Sequence, residues 1–172
     1  FSGDTYEIVS KFYPGTDTKK VGFDLRTGDS EKTSVRYDLE ENRLYIDRSQ
    51  SGIIISNRFA GVDSQTVSRN ADGSIDLRIY VDRSSVEVFT KDYTVAGANQ
   101  IFPSASSLGA AIVAEGGTAT ADVTIYPLDT VWTDKVVSDT PTAITSRNSE
   151  SIRANVGGEL TLQVALLPVG IA

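Results

Sequence analysis

Ile75-Asp76-Leu77-Arg78-Ile79-Tyr80-Val81-Asp82-Arg83-Ser84-Ser85-Val86-Glu87-Val88-Phe89 is the stretch on which the fold turns. Ile75, Leu77, Ile79 and Val81 alternate with Asp76, Arg78, Tyr80 and Asp82. That period of two puts successive side chains on opposite faces of a half-buried strand. Arg83-Ser84-Ser85 breaks the run, and Val86 and Val88 then alternate with Glu87 and Phe89, so two strands meet at a tight corner. Asn70-Ala71-Asp72-Gly73 before them is a turn signal, and Lys91-Asp92 after them leads into the next reversal.

The pattern extends in both directions. Val21, Phe23 and Leu25 share one face and Gly22, Asp24 and Arg26 the other, ending at a turn over Arg26-Thr27-Gly28-Asp29. Val35, Tyr37 and Leu39 make the next apolar set, Glu41-Asn42 a polar reversal, and Leu44 and Ile46 resume the alternation, which reads as a hairpin. Two further strands are expected near Leu108 to Ala114 and Ala121 to Pro127, with Glu115-Gly116-Gly117 as a hairpin turn between them. Nothing has the 3.6-residue period of an amphipathic helix. Short strands at intervals of about 8 to 12 residues imply an all-β fold, a sandwich or barrel of antiparallel sheets, of which a two-sheet antiparallel β-sandwich of jelly-roll or concanavalin-like type is preferred.

Beyond Trp132 the composition changes. Asp134 to Thr142 is polar and contains Pro141, so 133–142 is expected to be a linker. Leu160, Leu162 and Val164 then alternate behind Gly157-Gly158. The reading is a sandwich over 1–132 and a partial β unit over 143–172. So short a tail is expected to lean on the sandwich as a C-terminal β extension, because an independent domain without disulfides or metal needs more than about 40 residues.

The composition excludes more chemistry than it suggests. With no histidine and no cysteine among 172 residues, the chain lacks the commonest general base, thiolate nucleophiles and the usual zinc ligands. A net charge of −7 offers no basic cluster for a phosphate backbone, so nucleic acid is not an expected partner. No apolar run approaches the roughly 20 residues of a membrane-spanning helix. No phosphate loop or EF-hand pattern occurs, and no cofactor or metal is expected. Ser84 and Ser85 have no base to activate them.

Glycoside cleavage needs two carboxyl groups flanking the scissile bond. Asp24, Asp38, Asp47, Asp76, Asp82 and Glu87 all fall at outward strand positions or in turns, where solvation is the expectation, and no pair stands out by spacing. No catalytic residue is assigned. Sugar binding needs an exposed aromatic face, and among Tyr13, Tyr37, Tyr45, Tyr80, Tyr93 and Trp132 the outward pair expected to serve is Tyr45 and Tyr80.

The quoted stretch, followed by Asn99-Gln100-Ile101-Phe102-Pro103, resembles the C-terminal module of glycoside hydrolase family 32, the levanase, inulinase and invertase group. Tyr6-Glu7-Ile8, Gly22-Phe23-Asp24-Leu25-Arg26, Arg43-Leu44-Tyr45-Ile46-Asp47-Arg48-Ser49, Ala114-Glu115-Gly116-Gly117 and Ile125-Tyr126-Pro127-Leu128 follow in that family's order. The resemblance implies a sandwich attached to a five-bladed propeller that hydrolyses β-fructofuranosidic bonds of levan, inulin or sucrose. It places the catalytic residues in that propeller and none here. It leaves two roles for the module, buttressing the propeller or binding fructan polysaccharide, with oligomerisation or adhesion behind them. The tail from Ile144 resembles the start of a bacterial immunoglobulin-like domain, and together these imply an extracellular or periplasmic bacterial setting.

Overall fold

A computed structural model describes residues 1–129 and the strand at 150–161. The chain forms β1 (Tyr6–Pro14), β2 (Lys20–Thr27), β3 (Lys32–Asp38), β4 (Arg43–Gln50), β5 (Val62–Thr66), β6 (Ile75–Asp82), β7 (Ser85–Thr90), β8 (Ala96–Gln100), β9 (Gly109–Pro127) and β10 (Glu150–Thr161), and no helix among the described residues. The hydrogen-bonded order is β5-β4-β3-β2-β9-β1-β6-β7-β8, with every neighbouring pair antiparallel. The all-β antiparallel sandwich is the fold expected above.

The organising element is β9. The expected hairpin over Glu115-Gly116-Gly117 does not exist: the 19 residues from Gly109 to Pro127 form one bent strand. Its first half pairs with β2 (Lys20↔Glu115 to Thr27↔Gly109) and its second half with β1 (Tyr6↔Pro127 to Pro14↔Ala119). Thus β1 and β2 run in series along β9, and the connection 15–19 between them lies opposite residues 116–118 of β9. Glycine pairs signal any sharp change of direction, and here the change is a corner between two sheets rather than a reversal. Gly116 has φ 81°, and a Cβ on it would lie 2.7 Å from the Lys19 side chain. The backbone NH groups of Gly15 and Lys19 donate to the carbonyls of Thr118 and Glu115, both at 2.8 Å, and pin the corner.

Folding at this corner lays β2-β3-β4-β5 over β1-β6-β7-β8. Between them lies one apolar interior that includes Tyr6, Ile8, Phe12, Phe23, Leu25, Val35, Tyr37, Ile46, Leu77, Ile79, Val88, Ile112 and Ile125. These are the alternate residues of each strand, as the period of two requires. At the free side the two layers nearly close: Gln65 Nε2 donates to the Ala96 carbonyl at 2.6 Å, and Gly52 bridges Phe102 in parallel. The edge strands β5 and β8 escape a reading by alternation, since VDSQT and AGANQ contain almost nothing apolar to bury.

β10 runs antiparallel along both halves of β9, from Glu150↔Ile125 to Thr161↔Ala111, and shifts register between Gly157 and Gly158 opposite the bend in β9. The expected linker 133–142, Trp132 and the tail beyond Thr161 lie outside the described residues.

Candidate functional site

The outer face of β2, β3 and β4 carries an open groove of about 500 Å³. Beneath its lining residues Lys32, Ser34 and Arg36 lies Asp24, which is only 2% exposed and so corrects the expectation that this carboxylate is solvated. The alternation does place Asp24 away from the interior, but longer side chains of β3 close over it. Ser34 Oγ donates to it at 2.5 Å, Arg36 Nη2 at 2.8 Å and Lys32 Nζ at 3.2 Å. Burial alone would raise the carboxyl, yet Ser34, Arg36 and Lys32 together hold it below the ordinary aspartate value.

Arg36 is the hub of this face. Its Nη1 donates to the carbonyls of Phe23 at 2.5 Å and Val35 at 3.1 Å, and its Nε to Glu115 at 3.1 Å. It stands opposite Gly22, where a Cβ would come within 2.0 Å of the Val35 carbonyl oxygen. Tyr45 stands on its other side, in register with it across β3 and β4. The Tyr45 hydroxyl donates to Glu41, and Lys20 Nζ sits 5.8 Å from the ring centroid. That bond to Glu41, together with burial and the nearby negative charge, raises the phenol above its ordinary value.

Tyr80 lies on the outer face of the other sheet, so the two tyrosines do not form one platform. It meets Phe89 edge-on with centroids 6.0 Å apart, and Phe89 meets Tyr93 at 5.8 Å. The Arg78 guanidinium lies 5.9 Å from the Tyr80 ring and 6.0 Å from the Tyr93 ring. Arg78 Nε donates to Glu7 at 2.5 Å, and its Nη1 bonds the Tyr93 hydroxyl. Burial and a hydrogen bond to Glu7 raise the Tyr80 phenol. Glu7, 4% exposed, went unread as a site residue. The register Arg78↔Phe89 with Glu7↔Tyr80 was the signal that would have found the cluster.

Neither face is arranged for glycoside cleavage. A general acid in such a reaction needs a carboxyl held above its ordinary value beside a second, ionised one. Asp24, Glu31, Asp38 and Asp72 are all shifted the other way by hydrogen bonds and nearby cations that outweigh burial, and Asp92 by hydrogen bonds from Thr94 and Thr90. Asp38, 7% exposed, is the second carboxylate expected in solvent and found covered. It accepts from the backbone NH groups of Glu40 at 2.9 Å and Glu41 at 3.0 Å and so caps the β3–β4 turn. No cluster of metal-ligating side chains occurs among the described residues.

Residues 1–127 match the family described as glycosyl hydrolases family 32 C terminal. The chain is 54% identical over 171 residues to a fructan beta-fructosidase of Streptococcus mutans, covering 99% of this chain and 12% of that protein. It is 40% identical over 135 residues to a levanase of Bacillus subtilis, covering 76% of this chain and 20% of the levanase. A crystal structure of exo-inulinase from Aspergillus awamori superposes with a TM-score of 0.72 at 30% identity, over 76% of this chain and 26% of that one. The chain thus spans about an eighth to a quarter of the length of these relatives.

Proposed function

Because the chain belongs to glycosyl hydrolases family 32, as a C-terminal module of that family, we propose that it serves a fructan-degrading hydrolase by buttressing the catalytic part of the same polypeptide. On this reading a five-bladed propeller hydrolyses β-fructofuranosidic bonds of levan, inulin or sucrose, and the module works through a shared apolar interface. Contacts of this kind bury about 600 to 1,500 Å². The observation that carries the reading is the state of the carboxylates. Asp24, Asp38 and Glu7, the buried ones among the described residues, are tied to arginine, lysine and backbone NH groups, which suits a scaffold rather than a proton donor for a leaving sugar oxygen. The division into a sandwich over 1–132, a linker over 133–142 and a β unit over 143–172 is part of the proposal, supported by the pairing of β10 with β9. So is an extracellular or periplasmic bacterial setting. The test is assay of the purified chain with levan, inulin and sucrose beside the full-length hydrolase. The full-length protein is expected to release fructose and this chain none; fructose from this chain overturns the proposal.

A second reading is favoured by one feature, the groove in which Tyr45 walls a row of hydrogen-bonding groups from Lys32, Ser34 and Arg36. On it the module holds fructan near the catalytic part. Calorimetry with levan and inulin oligosaccharides decides: saturable heat supports binding, and flat titrations remove it.

A further inference from the structure

Ile53, Ile54 and Ile55 are consecutive in the β4–β5 loop and are 69%, 57% and 59% exposed, and Val62 at the end of that loop is 54% exposed. A single exposed isoleucine is ordinary, but three in succession form a patch of the sort that marks an interaction site. The patch rests on a firm base. Ile53 donates its NH to the Phe102 carbonyl at 3.0 Å, and Phe59 stacks on Phe102 with centroids 5.4 Å apart. The Arg48 guanidinium lies 4.7 Å from the Phe59 ring, and its Nε is buried without an acceptor. The apolar side chains are thus held out by a packed aromatic pair rather than left on a loose loop.

From this we infer that the loop 51–61 is the surface through which the module docks on the catalytic part of its own polypeptide. The inference rests on the proposed function above and names the contact it requires. Two observations select this occupant. The loop lies at the end of the sandwich away from the β9 corner, and it shares the segment 101–108 with the amino-terminal residues. Phe102 holds Ile53, while Gly3 donates to Leu108 and Ser2 bridges Gly109. A module described as C terminal follows the rest of its hydrolase, so in the family the preceding polypeptide arrives at the same end of the sandwich as this patch. Charge agrees. Residues 48–62 include Arg48 and Arg58 and no acidic residue, in a chain whose net charge is −7, so the complementary surface is apolar with an acidic rim.

Hydroxyl-radical labelling of Ile53 to Ile55, compared between the full-length hydrolase and this 172-residue chain, tests the inference. Labelling at least about tenfold slower in the full-length protein is expected, since docked side chains lose access to solvent; equal rates overturn it. Ile54→Asp in the full-length protein is expected to speed proteolytic separation of module and catalytic part, while the same substitution leaves the melting temperature of the 172-residue chain unchanged. A fall in that melting temperature makes the patch an internal stabiliser and overturns the docking. A concentration-dependent dimer of this chain that Ile54→Asp abolishes assigns the patch to a second copy and also overturns it. Protection elsewhere on residues 1–127 with none at 53–55 sinks the docking loop but keeps the accessory role. Protection nowhere on the module sinks both.

Discussion

The two outer faces of the sandwich are built on one plan and finished differently. Each has a nearly buried carboxylate, Asp24 at 2% exposure or Glu7 at 4%, bonded by an arginine on the neighbouring strand, Arg36 or Arg78, with a tyrosine close by, Tyr45 or Tyr80. On the β2-β3-β4 face a lysine and a serine add to the carboxylate, and the tyrosine walls an open groove. On the β1-β6-β7 face the arginine lies near two aromatic rings, and Phe89 contacts both of them. The same ion pair therefore supports a hydrated polar surface in one sheet and an aromatic mosaic in the other. The groove on the first is lined by hydrogen-bonding side chains and one tyrosine ring.

The largest expected effect in this comparison is from Asp24→Ala. It leaves Arg36 and Lys32 without their anion, and Arg36 is itself mostly covered, with a side chain only 12% exposed. Removing one partner of a buried pair costs about 3 to 5 kcal/mol, and the route to water open to Lys32 brings the expectation to about 2 to 3 kcal/mol in urea melts. Glu7→Ala removes the ion pair from an arginine that is 37% exposed, together with the hydrogen bond to Tyr80, so a loss of about 1 to 2 kcal/mol is expected. The reverse ranking would mean that the aromatic mosaic, not the groove network, anchors its sheet.

A pH series sharpens the same contrast. The folded value of Asp24 lies below its unfolded one, near 3.9 for a free aspartate. Its contribution is therefore complete above that unfolded value and is lost as pH falls through the folded value. Asp24→Asn is expected to start less stable at neutral pH and to lose less between about pH 5 and pH 2 than the parent chain. Glu31, Asp38 and Asp92 are lowered too, so a residual acid slope stays. Parallel acid limbs for the two proteins would refute the role given to Asp24.

How much of this was legible in the sequence depended on whether a residue's neighbours were local. The alternation from Ile75 to Phe89 showed β6 and β7 outright, because strand periodicity is a local property. Glu115-Gly116-Gly117 was misread because the same glycines that permit a hairpin also permit a strand to bend between sheets. What decides between them is the contact with Asp17 to Lys19, nearly 100 positions away in the chain. Asp24 was placed on the outer face correctly and in solvent wrongly. Periodicity assigns a face, but the cover comes from Lys32 and Arg36 on the next strand. Tyr45 and Tyr80 both point outward, yet only the fold at the corner decides that their faces are opposite.

The smallest stability change is expected from Tyr45→Ala, and it is the most informative for function. Tyr45 makes one exposed hydrogen bond to Glu41 and lies under Lys20, and both partners return to water when the ring is removed, so the cost is about 0.5 kcal/mol. Tyr80→Ala also removes the edge-on contact with Phe89 and the rest of a partly buried ring, for about 1 to 2 kcal/mol. If the groove holds fructan, the order reverses in a titration with levan oligosaccharides. Tyr45→Ala then abolishes the heat because it removes the only ring lining the groove among the described residues, while Tyr80→Ala leaves it intact on the far face. Equal loss in the two variants would trace the heat to global stability, and equal retention would remove Tyr45 from any sugar contact.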